Sequence, residues 1–231
     1  MSQTEFPLKH VGIILDGNRR WAKQQGITYI EGHRKGAEVF KEVAIHLFDR
    51  GVDYLSAFVF SKENQLRPAE EVSYLMKLVI KAVEKYLSEF DKQGIKITVI
   101  GDRQSLSPSV KKAIEKTEAK TKDNQKGTLI LCFNYGGRQE IVDVAKRIIK
   151  QGTTVTNVSE ELFEQNLYAP EVPDIDLVIR TSGEQRLSGF MLWRTAYSEL
   201  KFIDKYWPDI TTKDLDKCIK DYNSRQRRFG E

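Results

Sequence analysis

Cysteine is scarce in this sequence: 231 residues hold two, Cys132 and Cys218. They stand far apart, in no redox or zinc-ligand spacing. A disulfide framework is thereby excluded, and a reduced, cytoplasmic protein is the expectation. Charge of one sign is scarce too. The 37 basic residues against 33 acidic leave a formal +4, too little to argue for a nucleic-acid partner. No apolar run approaches the ~18 residues of a membrane span. The first nine residues lack a basic stretch followed by an apolar one, so no signal peptide is expected. Gly-x-Gly-x-x-Gly, the Walker-type Gly-x-x-x-x-Gly-Lys-Ser/Thr and the Gly-x-Ser-x-Gly elbow are all missing, which removes three common nucleotide and hydrolase readings.

What is present is an ordinary globular composition, 40% hydrophobic and 30% charged, in a chain long enough to bury a core without staples. Two kinds of periodicity alternate along it. Short apolar runs at 11–15, 54–60, 95–100, 128–133 and 177–179 read as strands buried on both faces. Helix-periodic stretches separate them. In 36–50, Phe40, Val43, Ala44 and Leu47 mark one face, closed by Gly51. A long stripe runs from Val72 through Leu75, Met76, Val79, Ile80, Val83 and Leu87 to Phe90, with Pro68 near its start. Ser107-Pro108 opens another helix, and Ile141 to Ile149, 160–166 and Leu215 to Tyr222 mark three more. The fold class expected is α/β: a single domain over residues 1–231, with an open, mainly parallel sheet flanked by helices. Residues 225–231 form a basic tail.

Ligands in open α/β sheets bind beyond the carboxyl ends of the strands. The first strand ends in Asp16-Gly17-Asn18-Arg19-Arg20-Trp21. Glycine permits close backbone approach, and arginine forks suit phosphate oxygens. The carboxylate of Asp16 would repel a phosphate unless a divalent cation sat between them, and Mg²⁺ is commonly held by one or two carboxylates plus substrate phosphates. A capped loop with solvated arginines is the bland alternative. Gly32-His33-Arg34-Lys35-Gly36 reads as a positively charged helix opening, the unfavourable end for cations unless an anion arrives. His33 could contact a phosphate or serve a structural hydrogen bond.

The second strand ends in Ser61-Lys62-Glu63-Asn64, followed by Arg67-Pro68. The run at 177–179 ends in Arg180, with Arg186, Leu187 and Ser188 following as a second polyanion clamp. For Trp193, Tyr197 and Trp207, packing is the preferred reading. Two anion clusters at one sheet edge would suit two diphosphate-bearing ligands. The 72–90 helix could add apolar surface for a hydrophobic substrate, although plain core packing explains its stripe as well.

These segments resemble the cis-prenyltransferases, the isoprenyl transferase family whose bacterial type is undecaprenyl diphosphate synthase. The resemblance covers nearly the whole chain in five ordered blocks. They are His10 to Ala22; Gly32-His33 with Gly36; Phe60 to Asn64 with Arg67-Pro68 and Glu71-Val72; Phe133-Asn134-Tyr135-Gly136-Gly137-Arg138; and Asp176 to Glu184 with Arg186-Leu187-Ser188, Trp193, Ala196-Tyr197, Glu199 and Trp207-Pro208-Asp209. It implies a parallel sheet with a hydrophobic tunnel opening at the strand ends. It also implies a Mg²⁺-dependent condensation of isopentenyl diphosphate with an allylic diphosphate, usually farnesyl diphosphate. The product would be a cis-polyprenyl diphosphate, a lipid carrier for cell-wall or glycan synthesis.

Carried over by motif, Asp16 is the metal-linked carboxylate, joined by Glu199. Gly17, Asn18 and Arg20, flanked by Arg19 and Trp21, hold the allylic diphosphate with His33. Ser61 and Asn64 stand at the reacting end, within a substrate-binding stretch that includes Lys62, Glu63 and Arg67; Asn64 assists proton removal. Arg180, Arg186, Leu187 and Ser188 serve isopentenyl diphosphate. Arg228 and Gly230 match a C-terminal Arg-x-Gly motif that reaches the partner subunit, implying a homodimer, with peripheral membrane contact at product release.

Three positions depart from the family's usual residues: Tyr29 for Arg, Gly189 for Asn and Arg194 for Gln. Two other readings compete. A non-catalytic partner subunit would tend to lack Asp16 and other substrate residues that are present here. A phosphohydrolase with Asp16 as nucleophile would need a second carboxylate where Asn18 stands.

Overall fold

The structure is a computed structural model that describes residues 8–66 and 68–225. Six strands form one sheet: β1 (His10–Ile14), β2 (Tyr54–Ser61), β3 (Ile95–Ile100), β4 (Gly127–Tyr135), β5 (Leu177–Arg180) and β6 (Glu199–Phe202). Their order is β3-β4-β2-β1-β5-β6, and every pairing is parallel. Seven helices accompany them among the described residues: α1 (Asn18–Gln24), α2 (Tyr29–Asp49), α3 (Ala69–Lys92), α4 (Pro108–Thr121), α5 (Gly137–Lys150), α6 (Glu160–Gln165) and α7 (Thr212–Asn223).

The period of two along each strand divides its side chains between two layers. Val11, Ile13, Leu129, Leu131, Phe133, Leu177 and Ile179 join the core beneath α2, α3, α4 and α7. Ile14, Ile130, Cys132 and Val178 face the other way, where Phe190, Met191 and Val172 pack on them. Behind those, α5 and α6 form a small cluster around Val144 and Ile148 with Phe163 and Trp193. Both faces are covered, which is why these strands read as continuous apolar runs.

Three elements differ from the sequence expectation. The segment after β1 is a helix, α1, rather than a loop. It buries a single residue, Ala22, so it carries almost no periodic signal. The helix expected to open at Gly32 begins at Tyr29, where Thr28 and Glu31 form a capping box. Gly32 and Gly36 therefore lie inside α2 and mark a close helix crossing. A Cβ on Gly32 would stand 2.5 Å from the Asn18 carbonyl oxygen, and one on Gly36 would stand 2.1 Å from Asn18 Oδ1. Finally, β6 is an edge strand of four partly exposed residues with no apolar run to announce it.

The chain leaves β1 toward β2 on one side and reaches β5 on the other, so β1 and β5 are neighbours whose onward connections diverge. That switch point, at the carboxyl ends of β1 and β5, is where an open α/β sheet forms its crevice.

Candidate active site

Ile14 pairs with Arg180 in the sheet, and this register brings Asp16, just past β1, against the end of β5. Arg180 Nη2 donates to Asp16 Oδ2 at 2.8 Å, and Arg20, one helical turn on, faces Asp16 Oδ1 at 3.3 Å. Burial pushes the Asp16 carboxyl up, but the Arg180 hydrogen bond and the charges of Arg180 and Arg20 outweigh it. Its pKa falls below the ordinary carboxylate value. Asp16 is thus an anion throughout the neutral range.

Gly17 makes the turn that permits this. Its φ of +108° is a conformation L side chains rarely adopt, and a Cβ there would strike the Tyr206 ring at 2.8 Å. Thr181 Oγ1 donates to the Asp16 carbonyl at 2.6 Å, and the Trp207 N–H donates to the same oxygen at 3.0 Å, tying the β1 and β5 exits together.

Around this pair the rim is cationic and laced. Arg180 Nη1 donates to Ser188 Oγ at 2.8 Å and to the Arg186 carbonyl. Arg20 donates to Ser182 Oγ at 2.6 Å and to Glu184 at 2.9 Å, and Arg186 donates to the other Glu184 oxygen at 2.5 Å. Glu184 therefore bridges two arginines from two clusters, a role its sequence position did not reveal. Ser182 and Ser188 both hold positive φ, +77° and +51°. Backbone strain of this kind gathers at binding sites. Arg180 Nε is buried and makes no hydrogen bond.

From this rim a cavity of about 480 Å³ runs inward between the sheet and α3, within the usual range for small-molecule sites, ~300–1,000 Å³. Asp16, Gly17, Asn18, Arg19, Arg20, His33, Ser61, Asn64, Arg180 and Ser188 line its mouth. Phe40, Leu75, Leu78, Val79, Ala82, Val83, Tyr86 and Phe90 line its depth with Ile97, Leu129 and Leu131 of the strands. The α3 stripe thus serves both readings at once: Leu87 is core alone, Leu75 and Phe90 are buried in the core and also line the cavity, and Val79 and Val83 face it beside Leu78 and Ala82.

The remaining candidates fall elsewhere. Asn18, although it lines the mouth, turns its side-chain amide back on the fold, donating to the Leu15 carbonyl at 3.2 Å with Oδ1 toward Gly36. Trp21 donates to Asp209 at 2.7 Å. Lys62 donates to Gln139, Glu63 is exposed, and Leu187 packs with the opposite core layer. Arg67, Arg228 and Gly230 lie outside the described residues. Glu199 pairs with Leu177, three residues before Arg180, which places it roughly 10 Å back along the sheet. It pairs with Arg225, so within one chain Glu199 and Asp16 do not converge.

Of the three departures, Tyr29 makes an edge-on contact with Tyr74 of α3, and Gly189 occupies a turn at φ +79°. Arg194 is buried far from the rim, donating to the carbonyls of Val172, Tyr168 and Ala169. Trp193 stacks on Phe163 at 4.2 Å and Trp207 is buried, both as packing predicts, whereas Tyr197 is 72% exposed.

An anionic rim-binder with a long apolar body fits this shape: charge at the strand ends, hydrocarbon beneath α3. The comparisons with known proteins agree. A family model for undecaprenyl diphosphate synthase in the prenyltransferase group matches residues 14–230. An isoprenyl transferase of Thermotoga maritima is 45% identical over 96% of this chain and 96% of its own length. A ditrans,polycis-undecaprenyl-diphosphate synthase of Micrococcus luteus, (2E,6E)-farnesyl-diphosphate specific, is 42% identical over 96% of this chain and 91% of its own. Among solved structures, lavandulyl diphosphate synthase from Lavandula x intermedia, in complex with dimethylallyl diphosphate, superposes with a TM-score of 0.92 at 34% identity. That match covers 96% of this chain and 98% of the other.

Proposed function

The chain belongs to the isoprenyl transferase (undecaprenyl diphosphate synthase) family, and from that footing we propose that it elongates farnesyl diphosphate with isopentenyl diphosphate, using Mg²⁺, to a cis-polyprenyl diphosphate. The lipid carrier of cell-wall or glycan synthesis is the role this product would fill. The observation that carries the reading is the Asp16–Arg180 pair standing at the mouth of the apolar cavity. An allylic diphosphate would lie with its charged head among Arg20, Gly17 and His33 and its hydrocarbon tail against α3. Isopentenyl diphosphate would take Arg180, Arg186 and Ser188.

As the allylic carbon–oxygen bond breaks, negative charge grows on the departing diphosphate. Preorganised guanidiniums stabilise that charge most where water is excluded. The new carbon–carbon bond forms to the isopentenyl double bond, and a proton leaves that unit. Ser61 and Asn64 sit at the cavity mouth to orient it.

The residues fit a divalent cation. Asp16 supplies one ionised carboxylate beside a cationic rim at the cavity mouth, and a carboxylate together with substrate phosphates is the set Mg²⁺ uses. When bound, Mg²⁺ would neutralise diphosphate charge. A homodimer through the Arg228–Gly230 tail and transient membrane contact at release complete the proposal. No described helix is long and apolar enough to cross a membrane.

Incubation of the purified chain with labelled isopentenyl diphosphate, farnesyl diphosphate and Mg²⁺ tests this. Label should pass into longer prenyl diphosphates, and Asp16→Ala should stop it. Label left wholly in the five-carbon substrate would refute the reading, as would an Asp16→Ala variant indistinguishable from the parent.

A further inference from the structure

At the carboxyl end of β4, Asn134 is buried and holds φ +52°. Its side-chain amide is fully committed. Nδ2 donates to the Asp102 carbonyl at 2.8 Å and to Ser105 Oγ at 2.9 Å, both in the loop after β3. The Asp102 N–H returns a bond to the Asn134 carbonyl at 3.0 Å. With both amide hydrogens directed at that loop, Oδ1 must face the other way, and there it accepts from Gln65 Nε2 at 2.5 Å.

Gln65 is the neighbour of Asn64. Ser61 and Asn64 bond each other reciprocally: the Ser61 N–H donates to Asn64 Oδ1 at 3.0 Å, and the Asn64 N–H donates to Ser61 Oγ at 3.2 Å. Both line the cavity mouth. Ser61 closes β2, paired with Tyr135 of β4, while Asn64 lies in Lys62–Leu66, a short 3₁₀ turn with no buried residue. Such turns have poor internal hydrogen bonds and do not fix themselves. Among the described residues, the side-chain ties of this turn beyond Ser61 include Gln65 to Asn134, and Lys62 Nζ to Gln139 at 3.1 Å and toward Asp102 at 3.6 Å.

We propose that Asn134 and Gln65 form a latch that positions the Ser61–Asn64 pair at the reacting end of the cavity. They are positioning residues, acting through Asn64, and the inference rests on the prenyl-transfer reading above. Asn134 takes its strained conformation where β4 ends, so the latch refers the turn to the rigid sheet rather than to the loop. Asp16, Arg20 and Arg180, the residues proposed to meet the diphosphates, bond neither Asn134 nor Gln65, so loss of the latch should lower turnover without weakening substrate binding. A misplacement of about 1 Å at a reacting group can cost on the order of 10²-fold in rate.

Gln65→Ala is the primary test, because Gln65 is exposed and its loss leaves the core intact. Turnover should fall by about 10- to 100-fold with KM for both diphosphates within about twofold of the parent. Gln65→Lys, which keeps a donor for Asn134 Oδ1, should recover most of the rate, and Gln65→Glu, which sets a carboxylate against that oxygen, should not. Amide hydrogen exchange gives a readout independent of catalysis. In Gln65→Ala the Ser61 and Asn64 N–H groups should exchange faster while β4 keeps its protection.

Unchanged exchange at Ser61 and Asn64 overturns the latch. So does a Gln65→Ala enzyme of parental turnover, a rise in KM that accounts for the loss, or a Lys variant no better than Glu. Asn64→Ala separates the two layers. If it keeps parental turnover while exchange responds as expected, the latch exists but the role given to Asn64 fails. If it is crippled and Gln65→Ala is not, the latch alone fails.

Discussion

Arg180 and Arg194 are both buried and each faces a carboxylate, yet they differ in what surrounds the pair. Arg194 stands 3.5 Å from Glu140, both side chains 2% exposed, and its other donors go to the carbonyls of Val172, Tyr168 and Ala169. Tyr135 donates to Glu140 as well, and the Tyr168 N–H donates to the other oxygen. Burial pushes the Glu140 carboxyl up and the Tyr135 hydroxyl well up, as expected of polar groups closed off from water. Arg180 instead meets an Asp16 that is 29% exposed, at the mouth of a cavity, although each guanidinium leaves one buried N–H without a hydrogen bond, Nε in Arg180 and Nη1 in Arg194. One arginine is enclosed by the fold and the other is held ready by it. Enclosure, rather than burial or charge, separates the structural ion pair from the one that can meet a substrate.

This difference can be broken from either side. Arg194→Met strips Glu140 of its cation where neither water nor another cation can replace it. Stability should fall by about 3–5 kcal/mol, the usual scale for breaking one side of a buried pair. A thermal melt reads this, at roughly 2–4 °C per kcal/mol for a chain of this size. Turnover per folded molecule should stay at the parental level.

Arg180→Ala should do the reverse. Asp16 keeps Arg20 at 3.3 Å and access to solvent, so the melt moves little. Turnover with isopentenyl diphosphate should drop about 10²- to 10³-fold, the scale of losing one preorganised charge contact.

The enclosed side also carries a pH signature. His10, on the same side as Arg194, is hydrogen-bonded to Ser56 Oγ and the Pro173 carbonyl, both at 2.8 Å. Burial, aided by the Arg194 charge, lowers its pKa from 6.5 to about 4. The folded state therefore holds His10 neutral while the unfolded chain protonates below 6.5. Stability is full above that value and falls as the pH drops toward 4, by about 3 kcal/mol at most. Denaturant titrations across that window should show the slope, and His10→Gln should flatten it.

The smallest effect belongs to the exposed rim. Arg19 faces Glu71 of α3 at 3.5 Å, but its side chain is 67% exposed. Arg19→Ala should change stability by less than about 1 kcal/mol, and less still at high salt.

Much of the fold was legible because strands buried on both faces and helices with one apolar face write distinct periods. Five of the six strands and the long α3 stripe followed from that. The exceptions are physical. β6, at the sheet edge, buries none of its four residues, and α1 is held by a glycine-mediated crossing with α2 rather than by an apolar stripe. Thr28 and Glu31 did announce the true start of α2, but Gly32 and Gly36 read more loudly as an opening.

The strand-end rule located Asp16, Ser61 and Arg180 correctly at the cavity. What it could not supply was pairing through space. Asp16 and Arg180 are 164 residues apart in the chain, and Glu184 joins two clusters that the sequence keeps separate. Nor could a motif reveal that Glu199 stands toward the far end of its strand from Arg180, or that the departure at Arg194 is enclosed and leaves the rim untouched.

The most direct measurement is mass analysis of the products formed from farnesyl and isopentenyl diphosphates with Mg²⁺ by the parent, Arg194→Met and Arg180→Ala, each assayed as folded protein. The account predicts products growing in five-carbon steps from the first two and almost none from the third. No chain growth by the parent, or growth by Arg180→Ala equal to that of Arg194→Met, would contradict it.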